Sequence, residues 1–218
     1  MPNPSTLAGP EMPPKSGKAK HLVVFLHGLG ADGNDLLGLA PLMKDALPDA
    51  HFASPNAPFA CDMASYGYQW FGFTDHSMPA LLAGVERARP LLDRYLDAKL
   101  AALKLPWSKL AVVGFSQGTM TGLHTLLRRE ESCAAIVGFS GALIAGPTFK
   151  NEIKSRPPVC LMHGDADMVV PFAQLAEAAA ALRDAGVPVE AHPRPGLGHS
   201  IDPEGLEIAT RFLRRHLS

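Results

Sequence analysis

A serine flanked by glycines is the first feature of the chain that could do chemistry. Residues 114–118 read Gly-Phe-Ser-Gln-Gly, after an apolar run and before apolar residues at helical spacing. In a G-x-S-x-G sequence between a strand and a helix, a sharp turn strains the serine backbone and exposes its hydroxyl. The pattern therefore predicts that Ser116 is the nucleophile of an acyl-transfer reaction. A chance match is the alternative in a chain with 20 glycines, but the flanking strand and helix patterns argue against it.

A second serine, Ser140, also follows an apolar run, in the sequence Gly138-Phe139-Ser140-Gly141. No glycine stands two residues after Ser140, and no extended helical pattern follows it. We predict a structural role for Ser140.

A serine nucleophile needs a base within hydrogen-bond reach and a carboxylate that orients the base. In a strand–serine–helix arrangement the usual chain order is serine, then carboxylate, then histidine. The loop after the apolar run 159–163 offers Asp165 and Asp167. We favour Asp167, because it lies further along the loop and can reach inward. Asp165 remains the alternative, although an aspartate in that position more often forms a turn.

Three of the nine histidines, His192, His199 and His216, follow that loop. His199 lies in a glycine-rich loop directly before the last helical pattern, where the base is expected. His192 and His216 are predicted to be surface or packing residues. His27 and His163 precede the serine or the acid, so the expected order excludes them as the base, and we predict that they make structural hydrogen bonds.

Acyl transfer also needs N–H donors for the charge that develops on the carbonyl oxygen. The backbone N–H of Gln117, next to the nucleophile, is the first predicted donor. The second should come from the glycine-rich loop at residues 27–33, and we predict the amide of Leu29. A phosphate-cradling loop is the rival interpretation of this segment, but no G-K-[ST] sequence follows the glycines.

Apolar runs alternate with helical patterns along the chain, which predicts an α/β fold with a parallel sheet. Pro90 is expected to kink or break the first long helix, and Gly186 to end another. Residues 1–20 are predicted to form a flexible N-terminal arm, and residues 21–218 a single domain. The predicted strands are 21–27, 110–115, 134–139, 159–163 and the weaker 187–191; the predicted helices are 79–103, 119–129, 172–185 and 203–217.

Composition excludes several classes of function. The formal charge of −1 gives no electrostatic reason to expect a nucleic-acid partner. No apolar stretch is long enough for a signal peptide or stable membrane insertion, so the expected compartment is the cytoplasm. Three cysteines without ligand spacing predict neither a disulfide framework nor a zinc site.

With these residues in place, the chain resembles the carboxylesterase and acyl-protein thioesterase (phospholipase/carboxylesterase) family of α/β-hydrolases over nearly its whole length after residue 20. The resemblance implies an α/β-hydrolase fold without a large cap domain and hydrolysis of carboxylic esters with short to medium acyl chains, or of thioesters or lysophospholipids, with no cofactor and no metal. It also allows a homodimer. The matching segments are 25–30 (FLHGLG), 56–58 (NAP), 70–71 (WF), 114–118 (GFSQG), 163–165 (HGD) with Asp167, 170–171 (VP) and 198–199 (GH).

By the matching motifs, Ser116, Asp167 and His199 take the triad roles, and Leu29 and Gln117 those of the oxyanion donors. Thr119 departs from the small residue that many members carry after the second glycine.

The substrate of such an enzyme would be a small-molecule ester or an acylated substrate. The aromatic segment 59–73 could line an acyl pocket or move as a lid, although its rings could equally pack against the sheet. Trp70 and Phe71, at the family-matching position, are our predicted substrate contacts. Two rival functions remain open: a non-catalytic binding protein on a hydrolase scaffold, and a peptidase or amidase that uses the same residues.

Overall fold

A seven-stranded sheet forms the centre of the protein in the computed structural model, which describes residues 7–217. The strand order is β1-β3-β2-β6-β7-β8-β9, and all neighbouring pairs are parallel except β1 and β3. This confirms the predicted mostly parallel sheet. The strands are β1 (Glu11–Met12), β2 (His21–Leu26), β3 (Ala50–Ala53), β6 (Leu110–Phe115), β7 (Ala135–Phe139), β8 (Val159–Gly164) and β9 (Val189–Arg194), while β4 (Phe59–Ala60) and β5 (Tyr68–Gln69) form a separate hairpin.

Helices cover both faces of the sheet. Those on one face are α3 (Met78–Leu103), α4 (Gln117–Leu126) and α6 (Ala173–Asp184). Those on the other are α1 (Gly33–Leu37), α2 (Ala40–Met43) and α7 (Pro203–His216). A short helix, α5 (Phe149–Glu152), lies between β7 and β8. The two layers explain why the central strands are apolar throughout, since a strand covered on both faces has no solvent side.

Strand β2 illustrates this double burial. Leu22, Val24 and Leu26 pack into one hydrophobic layer, and Val23 and Phe25 into the other, all without exposed surface. The alternation follows from successive side chains pointing to opposite faces of a strand.

Pro90 does not break the first long helix as predicted. Helix α3 runs through it over 26 residues, and Pro90 lies on the exposed side. The N–H that proline lacks would have bonded the carbonyl of Glu86, which is also an exposed residue of this helix.

The N-terminal segment differs from the predicted flexible arm wherever the structure describes it. Residues 1–6 of that arm lie outside the described residues. From Leu7 onward the chain follows the sheet edge: β1 pairs with β3, and the Ser54 amide donates to the Pro10 carbonyl at 3.0 Å. The Glu11 carboxylate binds His51 and Lys99. These contacts join residues the sequence separates widely, so local composition did not reveal them.

The three cysteines, Cys61, Cys133 and Cys160, are buried and unpaired. Burial raises the pKa of Cys133 and of Cys160 to about 12, so both thiols stay protonated near neutral pH. Among residues 7–217, none of the helices combines the length and hydrophobicity that a membrane span requires.

Candidate active site

Ser116 lies at the turn between β6 and α4 with the backbone angles φ 52° and ψ −117°. A positive φ is costly for a serine, and such strain is concentrated at functional sites. The flanking glycines are required by close packing: a Cβ on Gly118 would lie 1.9 Å from the Leu26 carbonyl oxygen, and one on Gly114 would lie 2.5 Å from the Thr119 nitrogen. The turn therefore has the geometry predicted from its sequence.

Asp167 and His199 are in direct contact. The His199 Nδ1 atom lies 2.8 Å from Asp167 Oδ2, and the amides of Val169 and Val170 donate to Asp167 Oδ1 at 2.8 and 2.9 Å. Burial alone would raise the pKa of Asp167, but the hydrogen bonds from His199 and the two amides outweigh it and hold that pKa below its usual value. An ionised Asp167 keeps the proton of a neutral His199 on Nδ1, which leaves Nε2 as the basic nitrogen.

His163 supports the same carboxylate, as its predicted structural role requires. Its Nε2 atom lies 2.9 Å from the Val170 carbonyl oxygen and 3.3 Å from Asp167 Oδ2. The alternative acid, Asp165, instead accepts a hydrogen bond from the Gly196 amide at 2.7 Å and so ties together the two loops that carry Asp167 and His199.

The other late histidines lie in different surroundings. His192 is in β9 with Nε2 3.5 Å from the Glu190 carboxylate. His216 is the last residue of α7, and its ring centroid lies 4.6 Å from that of Phe212.

His27 is a fully buried histidine at the end of β2 that organises the loop after it. Its Nδ1 atom lies 2.7 Å from the Gly28 carbonyl oxygen, and its Nε2 atom accepts from the Ala57 amide at 2.9 Å. Its own carbonyl oxygen accepts from Trp70 Nε1 at 3.0 Å. Burial lowers the pKa of His27, and only the neutral ring can donate at one nitrogen and accept at the other.

The lowered pKa of His27 predicts a pH-dependent stability. The unfolded chain takes up the proton more readily than the folded one. The free energy of unfolding should therefore fall as the pH drops below about 6.5, by at most about 1.4 kcal/mol per pH unit for one histidine. Urea unfolding at about pH 7.5 and about pH 5.5 measures this dependence. His27→Gln should reduce it, whereas the exposed His76→Gln should not; an unchanged dependence in His27→Gln would refute the assignment.

The Gln117 side chain connects the nucleophile turn to the aromatic segment. Its Oε1 atom accepts from the Trp70 amide, and its Nε2 atom donates to the Phe71 carbonyl oxygen, both at 2.8 Å. Trp70 and Phe71 have 0% and 1% of their surface exposed. Neither is among the residues that line the cavity next to Ser116; both belong to the buried hydrophobic cluster on the α3 and α4 face of the sheet.

Ser116 and His199 line one cavity of about 190 Å³. Leu29 and Gln117, the predicted oxyanion donors, line this cavity too. The neighbouring amides of Gly30 and Ala31 are engaged with the carbonyl oxygens of Tyr68 and Gly28. The remaining lining residues are Gly28, Phe73, Phe115, Met120, Val169 and Val170. Sequence reasoning missed most of the apolar ones, because they come from separate elements and no local pattern joins them.

Thr119, the residue that departs from the family pattern, is buried beneath the turn. Its hydroxyl donates to the Phe139 carbonyl oxygen at 3.0 Å. Its methyl group fills the space beside Gly138 and Gly141, so those two glycines accommodate the larger side chain.

Within residues 7–217, one group of three side chains has the spacing to hold a metal ion: Cys160, Glu190 and His192. The Cys160 thiol is protonated, as its raised pKa requires, and Glu190 is bound to Arg215. A cation bound here would therefore have to displace both the thiol proton and the Glu190–Arg215 ion pair.

Comparison with known proteins agrees with the fold. The crystal structure of esterase PE8 superimposes with a TM-score of 0.93 at 44% identity and covers 97% of this chain and 100% of its own. A probable carboxylesterase from Oryza sativa subsp. japonica is 30% identical over 98% of this chain and 86% of the relative. An acyl-protein thioesterase 1 homologue from Dictyostelium discoideum is 26% identical over 89% and 90%.

The sheet, the strained serine turn and these relatives define a hydrolase of the α/β-hydrolase class. A family model described as phospholipase/carboxylesterase matches residues 7–217, and the chain belongs to that family. The match begins at Leu7, where the described structure begins, and includes the segment predicted to be an arm. Membership makes the protein an ester or thioester hydrolase.

Proposed function

We propose that the protein hydrolyses carboxylic esters with short to medium acyl chains through a covalent acyl-enzyme on Ser116. One observation carries the proposal: the Asp167–His199 pair, joined at 2.8 Å, opens into the same cavity as a serine with a positive φ. An activated serine requires a base within reach and a third group that orients the base.

Each residue then has a defined role. His199 Nε2 removes the Ser116 proton while the serine oxygen attacks the carbonyl carbon. Asp167, held ionised by its hydrogen bonds, stabilises the imidazolium that results. When the tetrahedral intermediate collapses, His199 returns the proton to the departing oxygen or sulfur. Water then repeats the sequence and releases the acid.

The amides of Leu29 and Gln117 are the proposed oxyanion donors. Gln117 is the first residue of α4, where an N–H has no partner inside its own helix. The helix N-terminus also favours negative charge. Loss of one such donor costs about 3–4 kcal/mol of transition-state stabilisation in serine hydrolases.

The acyl chain is assigned to the 190 Å³ cavity, whose apolar lining includes Phe73, Met120, Val169 and Val170. This volume is below the roughly 300–1,000 Å³ of pockets that hold drug-sized ligands, which supports short to medium chains. Trp70 and Phe71 contact Gln117 and do not line this cavity. The direct contact with the acyl chain, which was predicted for these two residues, is assigned to Phe73.

A series of p-nitrophenyl esters from acetate to palmitate tests the assignment. Each methylene accommodated by an apolar cavity contributes about 0.8 kcal/mol, so kcat/KM should rise about fourfold per methylene until the cavity is full. Phe73→Ala should extend the rise to longer chains. Phe59→Ala is the matched control, because Phe59 lines a different cavity beside Arg87.

A length profile that Phe73→Ala and Phe59→Ala change equally would contradict the acyl assignment.

The same cavity volume and the acyl-protein thioesterase relative make a thioester the second candidate substrate. Thioesters and anilides of the same acyl group, measured in parallel, separate esterase from thioesterase and amidase activity. No turnover of any of them by folded protein would favour a non-catalytic binding role.

A further inference from the structure

A second cavity meets the Ser116 cavity at the Phe115 and His199 side chains. It has a volume of about 290 Å³. The rings of these two shared residues lie 4.8 Å apart, centroid to centroid, and form the partition between the cavities. The remaining walls of the second cavity come from α1, the start of α2 and the loop after His199: Asp35, Leu36, Leu39, Ser200 and Ile201.

We infer that this second cavity holds the leaving group of the substrate, an assignment that rests on the proposed function. During acylation the carbonyl carbon bonds to the Ser116 oxygen and its bond to the leaving atom breaks. The leaving atom takes its proton from His199, so the alcohol or thiol must lie against the imidazole. Ser116, Leu29 and Gln117 line the first cavity, so the acyl group occupies that side and the leaving group extends to the other.

The charge of the second cavity defines the class of leaving group. Asp35 is its charged wall residue, exposed in the first turn of α1, and neither lysine nor arginine is among the lining residues. Asp32, the N-cap of the same helix, is a second acidic residue three positions earlier in the chain. A cationic alcohol or thiol is attracted by these groups and an anionic one repelled. The apolar walls, Leu36, Leu39 and Ile201, suit the methyl or methylene groups around such a cation.

Three butyrate esters that differ in the charge of the leaving group test this inference. Butyrylcholine carries a quaternary ammonium, 3,3-dimethylbutyl butyrate is its neutral isostere, and 2-sulfoethyl butyrate carries a sulfonate. The titration of released acid at low ionic strength gives kcat/KM for each. The expected order is cationic, then neutral, then anionic, and added salt should compress it.

Asp35→Asn should lower the cationic-to-anionic ratio of kcat/KM about 1.5- to fivefold, the range for an exposed charge pair, and should change the two charged esters in opposite directions. Asp35→Lys should invert the order. Asp184→Asn at the end of α6, another exposed aspartate, is the matched control and should leave the ratio unaltered.

The outcomes distinguish a wrong leaving-group assignment from a wrong proposed function. Turnover of the neutral ester with a ratio that Asp35→Asn and Asp35→Lys do not change would overturn the leaving-group assignment alone. Failure of the wild-type protein to hydrolyse any of the three butyrates would overturn the proposed function, and this inference with it.

Discussion

Ser116→Ala is expected to lower kcat for p-nitrophenyl butyrate by about 10⁶-fold, the loss found when the nucleophile of a serine protease is removed. The variant has no oxygen to acylate, and only the oxyanion amides and the cavity remain to accelerate attack by water. The fold should persist, because the Ser116 N–H still donates to the Phe139 carbonyl oxygen. Circular dichroism and the midpoint of urea unfolding check this.

Ser140→Ala is the matched control for that loss. Ser140 also follows a strand, has a φ of 45° and is buried. Within residues 7–217 its hydroxyl has no hydrogen-bond partner. Removing the oxygen should therefore change kcat by less than about threefold, as expected of a substitution outside the catalytic residues. Comparable losses in Ser116→Ala and Ser140→Ala would mean that the G-x-S-x-G sequence does not identify the nucleophile.

Asp167→Asn should lower kcat by about 10⁴-fold, as the equivalent change does in a serine protease. The reason lies in the two acceptor atoms. The amides of Val169 and Val170 both donate to Oδ1, so the asparagine oxygen is held there and its NH₂ group faces His199. A donor at that position moves the imidazole proton to Nε2, where the ring can no longer accept the serine proton.

Asp165→Asn provides the control, since it makes the same substitution two residues away. Asp165 accepts from the Gly196 amide, whereas His199 Nδ1 is bonded to Asp167. An asparagine oxygen at position 165 can accept the same bond from Gly196. We expect kcat within about threefold of the wild-type value. A large loss in Asp165→Asn with little change in Asp167→Asn would show that Asp165, and not Asp167, is the carboxylate that orients His199.

Much of the fold could be predicted because a strand that is buried on both faces appears in the sequence as a continuous apolar run. The run at residues 110–115 is apolar throughout and is strand β6. The two strands at one end of the sheet show no such run: β1 has two residues, and β3, its neighbour, includes the polar His51. Their assignment depends on pairing between residues about 40 positions apart, from Glu11 to Ala53, which local patterns do not encode.

The candidate site likewise has residues that local sequence predicts and residues that only the folded chain brings together. The predicted residues Ser116, Asp167 and His199 each lie just after a strand, and parallel strands bring their carboxyl ends to one edge. Chain order excluded His27 and His163, and the glycine-rich loop before the last helix distinguished His199 from His192 and His216. The cavity wall could not be predicted, because Phe73 and Met120 meet only in the folded chain. Trp70 was predicted from its motif position, whereas its contact with Gln117 depends on packing.

Covalent labelling by a fluorophosphonate tests the central claim most directly. An activated serine displaces the fluoride and retains the phosphonyl group, so intact-protein mass spectrometry should find one adduct per chain and peptide mapping should place it on Ser116. We expect no adduct in Ser116→Ala and sharply slower labelling in Asp167→Asn. An adduct on Ser140 or any other residue, or equal labelling of Ser116→Ala, would contradict the account.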